Sequence, residues 1–311
     1  MADIILHHYP MSPFAEKIRL VLGYKKINWT SVIIPMIMPK PDVVSLTGGH
    51  RRTPLLQIGA DIYCDTALIC DVLEHLYPAP KLYPEHQKGL TRIVAQWADA
   101  IIFGPVMAYN FHPQGAAQAF GNSEPEFMKS FSQDRQTMRG GQPRMRPEDA
   151  ASTYKSYLRR LSDILTDHPF LFGDAPCVAD FSAYHPLWFT LEKTPAMASI
   201  FDSTPLVRDW AKRMKDIGHG SFKTISSDDA LKLSKSSQTL ALKNQPFMDE
   251  HGIALGTPVV IRAESFGTEP TEGKLIAATR TRYTIERTDE RAGQVHVHFP
   301  RIGFSISKVN A

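Results

Sequence analysis

With 311 residues, 43% of them hydrophobic, the chain is about twice the length of a typical domain and has the material for two or three buried cores. Its formal charge of +3 and its 22% of charged residues are those of an ordinary globular protein and select no particular partner. No apolar run reaches the roughly 18 residues of a membrane span, and Glu16, Lys17 and Arg19 interrupt the opening segment where a secretory leader would stay apolar, so the expected location is the cytosol.

Ile4 to Leu6 has the length and apolarity of a short strand, and Tyr9-Pro10-Met11-Ser12-Pro13 then predicts a turn into a helix, with Ser12 as N-cap and Pro13 in the first helical position. Phe14, Ile18, Val21 and Leu22 fall on one face of that helix, which ends near Gly23. Val32 to Ile34 predicts a second strand. Pro35, Pro39 and Pro41 break the chain before a short segment at Val43 to Leu46. Thr53 to Ile58 and Asp61 to Tyr63, joined by Gly59-Ala60, predict a hairpin, and Asp65-Thr66 can cap the helix whose apolar face holds Leu68, Ile69, Val72, Leu73 and Leu76. Residues 1–84 thus form a βαβ unit followed by ββα.

Residues 88–245 are mainly helical, with Ile93, Trp97, Ile101 and Val106 on one helix and Tyr154, Tyr157, Leu158, Leu161 and Leu165 on another. Within them, 113–146 is rich in Gly, Gln, Ser, Pro and Arg and is expected to be a mobile insertion, while the polar stretch 226–245 is expected to be a linker or weak helix. From 250 to 311 the pattern changes to five short strands, at Val259 to Arg262, Leu275 to Ala278, Tyr283 to Arg287, Val295 to Phe299 and Phe304 to Ser307. They predict a small β-barrel or sandwich, too small to stand without docking.

Cys64, Cys70 and Cys177 match neither a Cys-x-x-Cys pair nor a metal-ligand spacing and are expected to be buried thiols. His296-Val297-His298 puts two imidazoles on one strand face without a third ligand, so no metal is expected. The arginines of the tail are balanced by its glutamates and aspartates, which argues against nucleic acid.

The segment from Tyr9 to Arg19 resembles the active-site turn of serine-type glutathione transferases, as in the tau and theta classes. Thr53-Pro54 resembles that family's cis-proline, and Asp65-Thr66 stands where the family has an acid and a serine. Phe172 to Asp180 resembles the capping motif of its helical domain, although Cys177 replaces the usual Ser or Thr and is expected to leave only half of the reciprocal cap. The four markers cover roughly residues 1–225. Beyond about residue 250 no family is recognised.

The resemblance implies a thioredoxin-like N-terminal domain, an all-α domain and a homodimer, with glutathione as co-substrate or cofactor. Ser12 would stabilise the glutathione thiolate; Thr53 and Pro54 would present the backbone to the cysteinyl unit. Asp65 and Thr66 would hold the γ-glutamyl group, and Lys40 with Arg52 would hold the glycyl carboxylate, Arg51 being the alternative to Arg52. Taken alone, Ser12 and Asp65 are also ordinary helix caps and the two cations ordinary surface groups. Met11, Phe103, Met107, Tyr109 and Phe111 are the candidate walls for a small apolar electrophile. Isomerisation, dehalogenation or ether cleavage would use the same thiolate. A non-catalytic binding protein, with the β tail as its interaction surface, is the remaining alternative.

Overall fold

In the computed structural model, residues 3–121, 123–242 and 246–309 are described; the expected tail and linker extend to residues 310–311 and 243–245, which lie outside them. The first unit comprises β1 (Ile4–His8), α1 (Pro13–Tyr24), β2 (Trp29–Ile33), α2 (Pro41–Thr47), β3 (Leu55–Ile58), β4 (Asp61–Cys64) and α3 (Thr66–Leu76). β1 runs parallel to β2 and antiparallel to β3, which pairs antiparallel with β4.

The helical part follows. α4 (Lys88–Trp97) continues through a wider π-helical stretch at Ala98–Ile102 into α5 (Phe103–Asn110). Next come α6 (Pro113–Phe120), α7 (Pro125–Met138), α8 (Pro147–Ile164), α9 (Val178–Trp188) and α10 (Pro205–Asp216). The stretch expected as a mobile insertion therefore carries two helices. At the start of α9 the reciprocal cap is complete, against expectation: the Cys177 thiol accepts from the N–H of Asp180, whose carboxylate accepts from the Cys177 N–H at 2.9 Å. Sulfur is a weak acceptor, but the buried N–H has it as a partner.

The chain then returns to the first unit. β5 (Phe222–Ile225) adds to β2 in parallel, and α11 (Ser227–Ser236), within the expected linker, packs against β2, α2 and the tail. The tail supplies β6 (Pro258–Ala263), β7 (Thr271–Ala278), β8 (Arg282–Asp289), β9 (Gly293–Pro300) and β10 (Phe304–Lys308). β6 to β9 form a meander and β10 pairs back onto β6. Although β9 and β10 end the five-strand order at opposite sides, the Phe299 and Phe304 rings sit 5.4 Å apart, so this part of the sheet rolls toward a barrel.

The barrel is not separate. β9 pairs in parallel with β4, Asp61 to Tyr63 against His296 to His298, producing one ten-stranded sheet in the order β10-β6-β7-β8-β9-β4-β3-β1-β2-β5. Strand alternation assigns each face its own core. Ile4, Leu6, Leu56, Ile58 and Tyr63 join α1, α3 and the helical domain, while Ile5, Val32, Leu55, Ile62 and Cys64 join α2, α11 and the tail residues Val259, Ile285, Val297 and Phe299. Among the described residues no helix is long and apolar enough to cross a membrane.

Candidate active site

Sheet register gathers the site. Since His7 pairs with Leu55 and Leu55 with Cys64, the next steps along the strands bring Tyr9 level with Thr53, and Pro54 level with Asp65, at one end of the sheet. The peptide bond between Thr53 and Pro54 is cis, as the resemblance implied.

The turn from β1 into α1 is held from below. Ser12 N–H donates to the Tyr9 carbonyl at 3.1 Å, and Arg19 reaches the Tyr9 and Pro10 carbonyls at 3.5 and 3.3 Å while pairing with Glu16 at 2.6 Å. Ser12 caps α1, its Oγ accepting from the Ala15 N–H at 3.2 Å, and the residue is only 2% exposed. Because Oγ serves the cap as an acceptor, its own proton remains available to donate to an anion at the positive end of the helix.

Asp65 caps α3, accepting from the Ala67 N–H at 2.8 Å, with a backbone φ of +78°. That conformation is costly for a non-glycine residue and persists only where the surroundings enforce it. Burial raises the Asp65 carboxyl above its ordinary value, partly countered by the Ala67 N–H and Lys17. Thr66 Oγ1 accepts from Lys17 Nζ at 3.0 Å, and Lys17, fully buried, pairs with Asp99 at 2.6 Å, which also meets His185 at 2.9 Å. Lys17 thereby ties the start of α3 to the helical domain. Its position on the apolar face, three residues after Phe14 and four before Val21, was the sequence signal that a paired charge lies there.

Lys40 is 3% exposed and donates to the Arg51 carbonyl and Thr53 Oγ1, both at 3.3 Å, with its ammonium 5.5 Å from the centre of the Tyr9 ring. Among the described residues no carboxylate pairs with it. Burial and the nearby Arg135 guanidinium lower it to about 8. Of the two adjacent arginines, Arg51 is the buried one, paired with Asp134 and Glu269 at 2.6 Å each, whereas Arg52 donates to the carbonyls of Ser265 and Phe266 in the tail. Both are thus committed to other parts of the chain.

The candidate walls divide. Phe103 lies against Phe14, ring centres 4.6 Å apart, just past the Ser12 turn, and Met11 is part of that turn. Met107 is half-buried against the helical core. Tyr109 turns away, its hydroxyl donating to the Met197 carbonyl and its ring against Tyr154; Phe111 joins a helical-domain cluster with Phe120, Phe131 and Phe189. Residues missed in the sequence are Tyr9, Asp134 and Arg135, because nothing local marks a helical aspartate and arginine as facing a turn far away in the chain.

A solved structure of a GST-like protein from Pseudomonas syringae is similar along the whole chain, with 40% identity, 99% of this chain and 100% of that one covered, and a TM-score of 0.82. The chain belongs to the glutathione S-transferase superfamily. A family model for the glutathione S-transferase N-terminal domain matches residues 6–81. Pyrimidodiazepine synthase of Drosophila melanogaster is 34% identical over 88 residues, 26% of this chain and 36% of that protein, so the match spans little more than a third of that relative. A glutathione S-transferase from Methylobacillus flagellatus solved with glutathione bound covers 70% of this chain and 99% of its own, at 20% identity and a TM-score of 0.50, which is a likeness of fold. This superfamily member therefore keeps the thioredoxin-like and helical units and shares its β tail with the Pseudomonas syringae protein.

Proposed function

We propose that the chain is a cytosolic glutathione transferase in which Ser12 stabilises the thiolate of glutathione for attack on a small apolar electrophile. The observation that carries this reading is the capping geometry of Ser12: a buried hydroxyl that accepts from the Ala15 N–H and donates to no partner among the described residues, at the N-terminus of α1, beside the Thr53-Pro54 strand end. Thr53 would pair with the cysteinyl backbone, Asp65 and Thr66 would take the γ-glutamyl ammonium and carboxylate, and Lys40 would take the glycyl carboxylate. Lys40 suits that role better than Arg52, because it is the buried cation lacking a carboxylate partner among the described residues. Lowering a thiol by about two pKa units needs about 2.7 kcal/mol, within reach of one charge-assisted hydrogen bond plus a helix dipole.

Phe14, Phe103 and Met11 would face the electrophile. The same thiolate serves isomerisation, dehalogenation or ether cleavage, and product analysis separates these by whether glutathione stays in the product. The chain would act as a homodimer: Leu90, Ile93 and Ile101 lie along one face of the α4 rod at 52%, 65% and 59% exposure.

The deciding experiment is an ultraviolet difference titration of bound glutathione. Wild type should show thiolate absorbance at neutral pH, and Ser12→Ala should move the thiol back by one to two units, about tenfold to a hundredfold less thiolate. Glutathione that binds with an unshifted thiol would instead support a binding protein that does no chemistry.

A further inference from the structure

The loop between β6 and β7, residues 264–270, touches two parts of the molecule at once. Toward the thioredoxin-like unit it receives both arginines, Arg52 through the carbonyls of Ser265 and Phe266, and Arg51 through Glu269. Toward the helical domain, the Gly267 N–H donates to the carbonyl of Met138, the last residue of α7, at 2.7 Å. α7 in turn leans on the margin of the proposed glutathione cleft. Asp134 pairs with Arg51 and accepts from the Met38 N–H at 3.3 Å, while Arg135 donates to the Met36 carbonyl at 3.0 Å and meets the Tyr9 hydroxyl at 3.4 Å. Arg51 is the shared member, with α7 on one side and the tail on the other.

Of the fourteen residues of α7 only Phe131 and Met138 are buried; Phe131 packs beside Phe111 and Phe120, and the polar contacts at Asp134, Arg135 and Met138 tie the C-terminal half of the helix to the cleft margin and the tail. We propose that the 264–270 loop is a latch that holds α7 over the cleft, so that the β tail sets how fast ligands enter and leave. The part of this inference that concerns ligands rests on the reading of Ser12, Thr53 and Lys40 as a glutathione site; the latch stands on contacts independent of it.

Two substitutions loosen the latch from the tail side. Glu269→Gln removes the charge facing Arg51 and keeps the side chain's shape. Gly267→Ala adds a methyl at a φ of +71°, where it would come within 2.8 Å of Met138 Cε. Hydrogen exchange of the full-length protein should show the amides of residues 125–138 exchanging about fivefold faster in both variants, with β1 and β3 unchanged, the scale of one weakened, partly exposed ion pair. Stopped-flow binding of glutathione should show on- and off-rates rising together, with Kd nearly unmoved. Exchange in α7 that stays at the wild-type rate, or that speeds up equally in β1 and β3, would overturn the latch. If wild type binds no glutathione the transferase reading fails, yet the exchange result still decides the latch.

Discussion

Gly48 and Gly49, just after α2, show how closely the tail is fitted to the first unit. A Cβ on Gly49 would lie 2.1 Å from the Pro270 carbonyl oxygen, and one on Gly48, whose φ is +85°, would lie 2.7 Å from Arg287 Nε. Backbone cannot yield as a flexible side chain can, so Gly49→Ala should cost about 2–3 kcal/mol, read as a lower urea midpoint at unchanged slope. Ser12 carries two duties of the same kind. Its cap on α1 is worth about 1 kcal/mol, so Ser12→Ala loses some stability along with the thiolate. The positions of Ser12, Thr53, Pro54, Asp65 and Thr66 at one end of the sheet were legible because each sits at a strand end or helix start that announces itself within a few residues. Arg51 was not, because what distinguishes it from Arg52 is a pair of partners 83 residues away in α7 and farther still in the tail.

Many elements could be read from periodicity, including all five tail strands and, in the α domain, α8 and the run from α4 into α5; α6 and α7 fall where a mobile insertion was expected. What periodicity cannot supply is the neighbour of an edge strand, since alternation identifies a buried face but not the chain that pairs beside it. The seam between β4 and β9 is the clearest instance. The alternating imidazoles of His296 and His298 meet the buried Asp61, with His298 Nε2 at 2.8 Å and His296 Nδ1 at 3.5 Å, while the Leu240 N–H donates to its other oxygen at 2.6 Å. Against the cost of its burial, these partners hold Asp61 at about 2, below the usual carboxylate range. The histidine pair is therefore the counterpart of a buried acid across the seam. The face of α4 and its π-helical continuation that carries Leu90, Ile93 and Ile101 poses the opposite case, with no neighbour among the described residues. If a second copy covers it, Ile93→Glu should convert a dimer to a monomer in analytical ultracentrifugation, with helix content unchanged.

On the scale of the whole molecule, the two cores lie back to back across a single sheet, and both depend on histidines kept neutral. Burial lowers His7 to about 4, and His8 and His50 to about 3. The unfolded chain takes up protons near pH 6.5 and the folded one does not, so stability is full above that value and falls as pH drops toward the folded values. Each such histidine costs about 1.4 kcal/mol per pH unit below 6.5. Urea midpoints should therefore fall steeply between pH 6.5 and 5 and stay level between 7 and 8. Chain segments 1–84 and 250–311 each have their own hydrophobic pattern, and the second was expected to need docking; the structure joins them because the apolar residues of both face the same interior.

The parallel seam has a consequence for the order of events on the ribosome. Asp61 and His298 are 237 residues apart, so the outer edge of β4 emerges early and waits through nearly all of synthesis for its partner. Until β9 arrives, Ile62 and Cys64 have no tail core to cover them, and the strand presents a row of unpaired N–H and C=O groups. The part of the protein made first is thus the part completed last.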